Sequence, residues 1–333
     1  MINKITIHDI ARKLNIDSST VSRALANSDR VKLKTRELVK KTADELGYRR
    51  NHLASNLRKQ RSYTIGVIVP YINRHFFSTV ISGIEESASK QGYKLIICQS
   101  GDQEQKDAEL MEMLINNQVD AIFISMAMTT TNTEHFKLAQ KIDIPIILFD
   151  RIRDDLPFPS VVIDDYQAAL ETCELLAKKG YQSIAHIGGR QNVSIYKNRY
   201  LGYLDAIEKF NLNFCDDWHM ECNMESKDGV EFANKIMHMK KRPDAILCAN
   251  DIVAISAMRT LQAHSIEVPK DIALIGFSNE PLSAYTSPPL TTVDQKALEI
   301  GQLAFNLFQK HQDKVGQVER MKVKSSIIQR SSC

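Results

Sequence analysis

Residues 18–23 read Ser-Ser-Thr-Val-Ser-Arg, a cluster of hydroxyls ending in one guanidinium around a single apolar residue. If this stretch is helical, Val21 turns inward and Ser18, Ser19, Thr20, Ser22 and Arg23 stay outward. Short hydroxyls let a helix enter a DNA groove and meet phosphates or base edges. A guanidinium can fork onto guanine, which discriminates bases by roughly 1–3 kcal/mol. A helical hairpin used for protein contacts would have a similar surface. A second polar set lies far along the chain, at the ends of apolar runs: Asn73, Phe76 and Phe77, then Asp150 beside Arg151, then Arg199, Met224, Asn250 beside Asp251, and Ser278 and Asn279. Carboxylate, guanidinium and amide can bridge adjacent hydroxyls, so this set suits a polyhydroxylated small molecule. Asp251 could instead cap a helix, Phe76 could be core, and Asp150 could pair with Arg151.

The first cluster needs a scaffold, and the flanking residues supply one. Thr6-Ile7-His8-Asp9 has the form of a capping box, and Ile7, Ile10, Ala11 and Leu14 make one apolar stripe ending at Asn15. Asp17 or Ser18 caps a second helix carrying Val21, Ala24 and Leu25, and the short gap predicts a helix-turn-helix. A third helix is predicted over 35–46, with Val39, Thr42, Ala43 and Leu46 inward and Gly47 as its left-handed stop. Charge agrees with this division. Residues 1–62 hold 15 Lys and Arg against 6 Asp and Glu, whereas the rest of the 333 residues holds 28 against 34, so a basic head precedes an acidic body.

The body alternates apolar runs with helical patterns. Strands are predicted at 65–69, 94–99, 121–124 and 144–149, then again at 183–187, 245–249 and 272–277, with helices at 168–179, 198–210 and 252–263. Continuous apolar strands separated by helices imply parallel sheets covered on both faces, here as two similar lobes. Segments near 161–163, 288–293 and 321–328 are expected to cross between lobes. Ligands in such sheets bind at the carboxyl ends of the strands. A dinucleotide enzyme is the competing reading, but no G-x-G-x-x-G, Walker loop or G-x-S-x-G elbow is present. His75 and His186 lack a catalytic arrangement, and a sugar-binding module without a DNA partner would not need the basic head. No cofactor, metal or catalytic residue is expected. Cys98, Cys173, Cys215, Cys222, Cys248 and Cys333 have no C-x-x-C spacing and read as reduced thiols. With no membrane-length apolar run, and Lys4, His8 and Asp9 near the start, a cytoplasmic location is expected and no membrane partner.

Ile5-Thr6-Ile7-His8-Asp9-Ile10-Ala11 together with Ser19-Thr20-Val21-Ser22-Arg23-Ala24-Leu25 closely resembles the opening of the lactose-repressor family of bacterial transcription regulators. Thr35-Arg36-Glu37, Leu46-Gly47-Tyr48 and the spacing of Asn51, Ala54 and Leu57 continue the pattern. The resemblance implies a small all-α head at 1–50, a hinge helix and linker at 51–62, and an α/β body of periplasmic-binding-protein type at 63–333. It implies DNA contacts from Thr6, Ser18, Ser19, Thr20, Ser22, Arg23, Arg30, Thr35, Asn51, Ala54 and Leu57, with Leu57 wedging a minor-groove base step. It also places Asp150, Arg199 and Asn250 on effector-binding positions, with a sugar favoured and a nucleobase close behind. One head reading half a site would bind weakly, so a homodimer on a pseudo-palindromic double-stranded operator is expected. A regulatory protein partner could also dock on the first lobe. Four positions depart from the family pattern. Arg50 stands in place of Pro, Lys32 in place of a capping Ser, Met224 in place of an aromatic platform and Ser278 in place of Asp. Lys32 should leave the third helix prone to fraying at its start.

Overall fold

The computed structural model describes residues 5–48, 61–312 and 318–333. It divides into two compact units, 1–62 and 63–333. Asn51, Ala54 and Leu57, and with them the expected hinge helix, lie outside the described residues.

In the first unit α1 (Ile7–Leu14), α2 (Ser18–Leu25) and α3 (Leu33–Glu45) enclose one small core of Ile10, Ala11, Val21, Ala24, Val31, Val39 and Ala43. Asn15 takes the left-handed conformation (φ 50°) that stops α1, and the Ile16 N–H returns to the Ala11 carbonyl at 3.1 Å. Gly47 (φ 67°) stops α3 in the same way, with Tyr48 N–H on Ala43 O at 2.8 Å. Thr6 and Asp9 close the expected capping box, in which the Asp9 carboxylate takes the Thr6 N–H at 2.9 Å and the Thr6 hydroxyl at 2.7 Å. The two bonds hold the Asp9 carboxyl below its ordinary range. The third helix begins at Leu33, two residues early, although Lys32 supplies no side-chain cap. Arg36 of its first turn donates to the Asn27 carbonyl at 3.2 Å, which ties the preceding loop to the helix start.

The second unit contains two six-stranded sheets. The first lobe is built on β1 (Thr64–Val69), β2 (Lys94–Gln99), β3 (Ala121–Ile124), β4 (Ile146–Phe149) and β5 (Ser160–Ile163), with α4 (His75–Ser89), α5 (Glu104–Asn116) and α6 (Glu134–Lys141) between strands. The second continues with α7 (Asp165–Lys178), β6 (Ile184–Gly189), α8 (Ser194–Lys209), β7 (His219–Cys222), α9 (Ser226–Met237), β8 (Ala245–Cys248), α10 (Asp251–Ala263), β9 (Ala273–Phe277) and β10 (Thr291–Asp294). The chain then runs through α11 (Ala297–His311), β11 (Arg320–Val323) and β12 (Ser326–Ile328). Strand orders are β11-β5-β4-β3-β1-β2 and β12-β10-β9-β8-β6-β7. All pairings are parallel except β10–β12, an antiparallel edge that the parallel-sheet expectation did not include. The chain crosses between lobes three times, from β5 to α7, from β10 to α11 and from β11 to β12. The third crossing divides the segment expected as a single strand at 321–328.

The helices α4 and α11 cover one sheet face and approach each other at glycines. A Cβ on Gly83 would meet the Leu298 carbonyl at 2.1 Å, and one on Gly301 would meet the Val80 carbonyl at 2.1 Å. This contact anchors the first lobe on a helix that arrives only after β6–β10 of the second lobe. All six cysteines are free thiols, and no described helix is long and apolar enough to cross a membrane.

Candidate functional site

A cleft forms where the carboxyl ends of both sheets meet, bordered by the amino-terminal turns of α4, α8 and α10 and by the loops after β2, β3 and β4. About 640 Å³ of space not filled by protein, partly open to solvent, lies there.

Two buried ion pairs brace it, one in each lobe. Arg151, next after the β4 turn, donates to Asp102 at 2.6 Å, and the same Asp102 oxygen takes the Met128 N–H at 2.7 Å. Arg199, on α8, donates Nε to Asp165 at 2.8 Å and Nη1 to the Ala249 carbonyl at 2.7 Å. Its guanidinium lies 4.0 Å from the Phe277 ring centroid. Tyr196 sits between the two cations, 6.0 Å from Arg151 and 5.9 Å from Arg199. Burial raises the Asp165 carboxyl to about 6 against the pull of Arg199.

Asp150 adopts a left-handed φ of 60° that turns its buried carboxyl to the cleft wall, where it accepts from Ser125 at 3.2 Å. Burial raises its pKa, opposed chiefly by Arg151, whose Nε is 3.9 Å away. Phe76 and Phe77 line the cleft edge to face, with centroids 5.3 Å apart, while belonging to the core behind it. Met224 (φ 63°) and Ser278 (φ 113°) line the opposite wall, and the Ser278 hydroxyl donates to Gln295 at 2.9 Å.

Asn250 also lines the cleft, but its amide is largely engaged. It caps α10 by accepting Val253 N–H at 2.8 Å and donates to the Met224 carbonyl at 3.0 Å. The cap is therefore Asn250 and not Asp251. Asp251 instead receives the Thr292 hydroxyl at 2.6 Å and the Glu280 N–H at 2.7 Å, and burial lifts its pKa to about 7.

Asn73 and Asn279 do not reach the lining. Asn73 is exposed on the loop before α4, and Asn279 accepts from Arg330 at 2.8 Å, so its carbonyl serves the loop fold. Sequence reasoning missed Asp102, Met128, Tyr196, Glu280 and Gln295. Asp102 and Met128 follow the second and third strands, so strand-end logic applied there would have reached them. Tyr196 sits one helical turn before Arg199, and Glu280 and Gln295 carry no sequence signal. Among the described residues, the lining contains no histidine, cysteine or lysine.

In the head, Ser19, Arg23 and Arg30 are exposed and Ser18, Thr20, Ser22 and Thr35 are half-buried, so the expected reading face is presented outward by α2 and its surroundings.

A helix-turn-helix unit joined to a two-lobed α/β body with a polar interlobe cleft defines a DNA-binding regulator with an effector domain. The comparisons specify the family. Residues 6–51 match "Bacterial regulatory proteins, lacI family" and residues 62–331 match "Periplasmic binding proteins and sugar binding domain of LacI family", and the chain belongs to that family of transcriptional regulators. It is 32% identical over 330 residues to the HTH-type transcriptional repressor PurR of Vibrio campbellii (strain ATCC BAA-1116), covering 98% of each chain. It is also 32% identical to catabolite control protein A of Priestia megaterium, covering 98% of this chain and 96% of that one. The solved Lac repressor dimer bound to operator and the anti-inducer ONPF shares the fold, with TM-score 0.87 at 22% identity over 99% of both chains.

Proposed function

We propose that two copies of this chain bind a pseudo-palindromic operator and act as a repressor whose affinity is set by a sugar or sugar derivative held between the lobes. Ser18, Ser19, Thr20, Ser22 and Arg23 face base edges in this reading, while Thr6, Arg30 and Thr35 serve the phosphate backbone. The observation that carries the effector assignment is the cleft itself. Asp150, Arg151 and Arg199 converge on one space beside Phe77 and Tyr196, a combination that brackets hydroxyls while offering ring faces to the sugar's apolar edge. Tyr196 supplies a ring where Met224 does not.

Pairing is supported by the second lobe's exposed apolar surface. Leu282 (70% exposed) lines a groove with Val230, Ile255, Arg259 and Ala263, and Tyr285 (84% exposed) follows three residues later in the chain. A second copy is the occupant, consistent with the dimer described for the Lac repressor. Effector binding then shifts the population between two lobe arrangements, one of which pairs the heads productively. Selection of bound sequences from random DNA, with and without a panel of sugars, tests the reading. A two-fold symmetric consensus whose retention changes with one sugar is expected. Recovery of no sequence preference, or of retention indifferent to every sugar, rejects it.

A further inference from the structure

His186 on β6 and His219 on β7 stand opposite each other in the parallel register at one edge of the second sheet. Their Nδ1 atoms are 3.2 Å apart, with ring planes 13° from parallel and centroids 5.2 Å apart. One Nδ1 therefore carries a hydrogen and the other accepts it. His186 is fully buried, and its Nε2 has no partner. A hydrogen on that Nε2 would be an orphan donor in the core, so His186 donates from Nδ1 and His219 keeps its own hydrogen on Nε2. A further proton does not fit. On His219 Nδ1 it removes the acceptor, and reversing the bond to admit it forces a hydrogen onto His186 Nε2.

The helix α8 rests on this pair. The Tyr200 ring stacks on His219 with centroids 4.1 Å apart and the Tyr203 ring on His186 at 5.2 Å, while the Tyr203 hydroxyl donates to the Ile184 carbonyl at 2.9 Å. Behind the pair, a Cβ on Gly188 would come within 2.5 Å of the His186 Cε1, so glycine leaves the room that the ring fills. The same helix brings Tyr196 and Arg199 to the cleft. Arg199 on α8 and Lys235 on α9 oppose a positive charge on the imidazoles, and Glu221 on β7 favours one. The other titratable neighbours are Asp216 near Tyr200 and the Cys173 and Cys215 thiols near Tyr203. Burial lowers both imidazoles, so the pair is neutral at neutral pH and takes up a proton only below the ordinary value of 6.5.

We propose that the His186–His219 pair is a proton-operated latch on α8. When neutral it seats the helix, and with it the cleft wall formed by Tyr196 and Arg199. When a proton is taken up, His219 swings toward solvent, its stack with Tyr200 is lost and α8 loosens. The latch is a property of the second lobe, whatever molecule fills the cleft.

Two readouts on the full chain without ligand test it. Trp218, the single tryptophan, is buried directly before His219, so its fluorescence reports the pair. Hydrogen exchange, expressed as protection factors, reports α8. Between about pH 7.5 and about pH 5.5 the fluorescence titrates and protection over residues 196–203 falls by about tenfold or more, while residues 80–88 of α4 keep theirs. His219→Gln, which puts an uncharged hydrogen-bonding side chain at this half-buried position, abolishes both transitions. Tyr200→Leu leaves both histidines in place, so the fluorescence still titrates while α8 no longer follows it. Protection of α8 that is indifferent to pH in the wild type overturns the latch. So does a loss that survives either substitution, which would assign it to the Asp165–Arg199 pair, whose carboxyl stands at about 6.

Discussion

Arg199 is nearly inaccessible, yet it borders the cleft, and both facts follow from the bonds it makes. Its guanidinium is held by Asp165 and the Ala249 carbonyl over the Phe277 ring, so it presents a fixed edge to any ligand. Replacing one partner of a buried pair leaves the other charge uncompensated, so Arg199→Ala should lower stability by about 3–5 kcal/mol, measured by urea unfolding. Adding Asp165→Asn should recover most of that loss without recovering effector response. Recovery of both would place Arg199 outside the site. In the head, Arg23→Ala should lower the ratio of specific to nonspecific DNA affinity by about 1–3 kcal/mol in competition gel shifts, and an equal loss on all DNA would assign Arg23 to phosphate. Residue types at strand ends made Asp150 and Ser278 legible as cleft residues, and the family resemblance did so for Arg199, which stands on α8. They misplaced Asn279, because the bond from Arg330 that occupies it joins residues 51 positions apart. Asp102 follows the second strand and was within reach of the same reading, while the bond that shows its role joins it to Arg151, 49 positions away.

At the scale of elements, the buried central strands β1, β3, β4, β8 and β9 were legible because both faces are apolar. The edges were less so. β12 pairs antiparallel and β7 is a short, partly exposed strand that no apolar run marks. The crossings could be placed from segments left over after two repeats were counted, but the packing of α11 against α4 could not, because the glycines that permit it lie 218 residues apart (Gly83 and Gly301). That contact gives a direct expectation. Gly301→Ala puts a methyl where the Val80 carbonyl lies 2.1 Å from the ideal Cβ, so the helices must separate. A loss of roughly 1–3 kcal/mol is expected in urea unfolding. An unchanged midpoint would mean that the helix pair adjusts without cost. The described part of the head, being local in sequence, was legible almost whole, and its surprise is confined to the start of α3 beside Lys32.

Over the whole molecule, buried titratable groups oppose one another. Burial, with His219 and Arg199 nearby, holds His186 well below the ordinary histidine value of 6.5, so its contribution to stability is complete above that pH and is lost as pH falls. Asp251 has the opposite sign. Its carboxyl is raised from 3.8 to about 7, so its contribution is complete below the ordinary value and is lost as pH rises through about 7. Asp251→Asn removes the second effect but also weakens the bonds from Thr292 and Glu280, so the variant should be less stable than wild type at pH 5 and closer to it at pH 8. A constant difference across that range in thermal unfolding would deny the raised carboxyl.

The Asp251 bonds also hold the loop that carries Leu282 and Tyr285, so the cleft wall and the proposed pairing face share one short segment. Leu282→Glu places a charge on that face without touching the cleft. The substitution should weaken self-association by more than about tenfold in sedimentation equilibrium, and operator affinity should fall with it because two heads no longer act together. Effector affinity should remain, since the cleft is complete within one chain. A variant that stays dimeric and fully competent on DNA would move the pairing surface elsewhere, whereas one that loses both association and effector binding would show that the cleft depends on the partner.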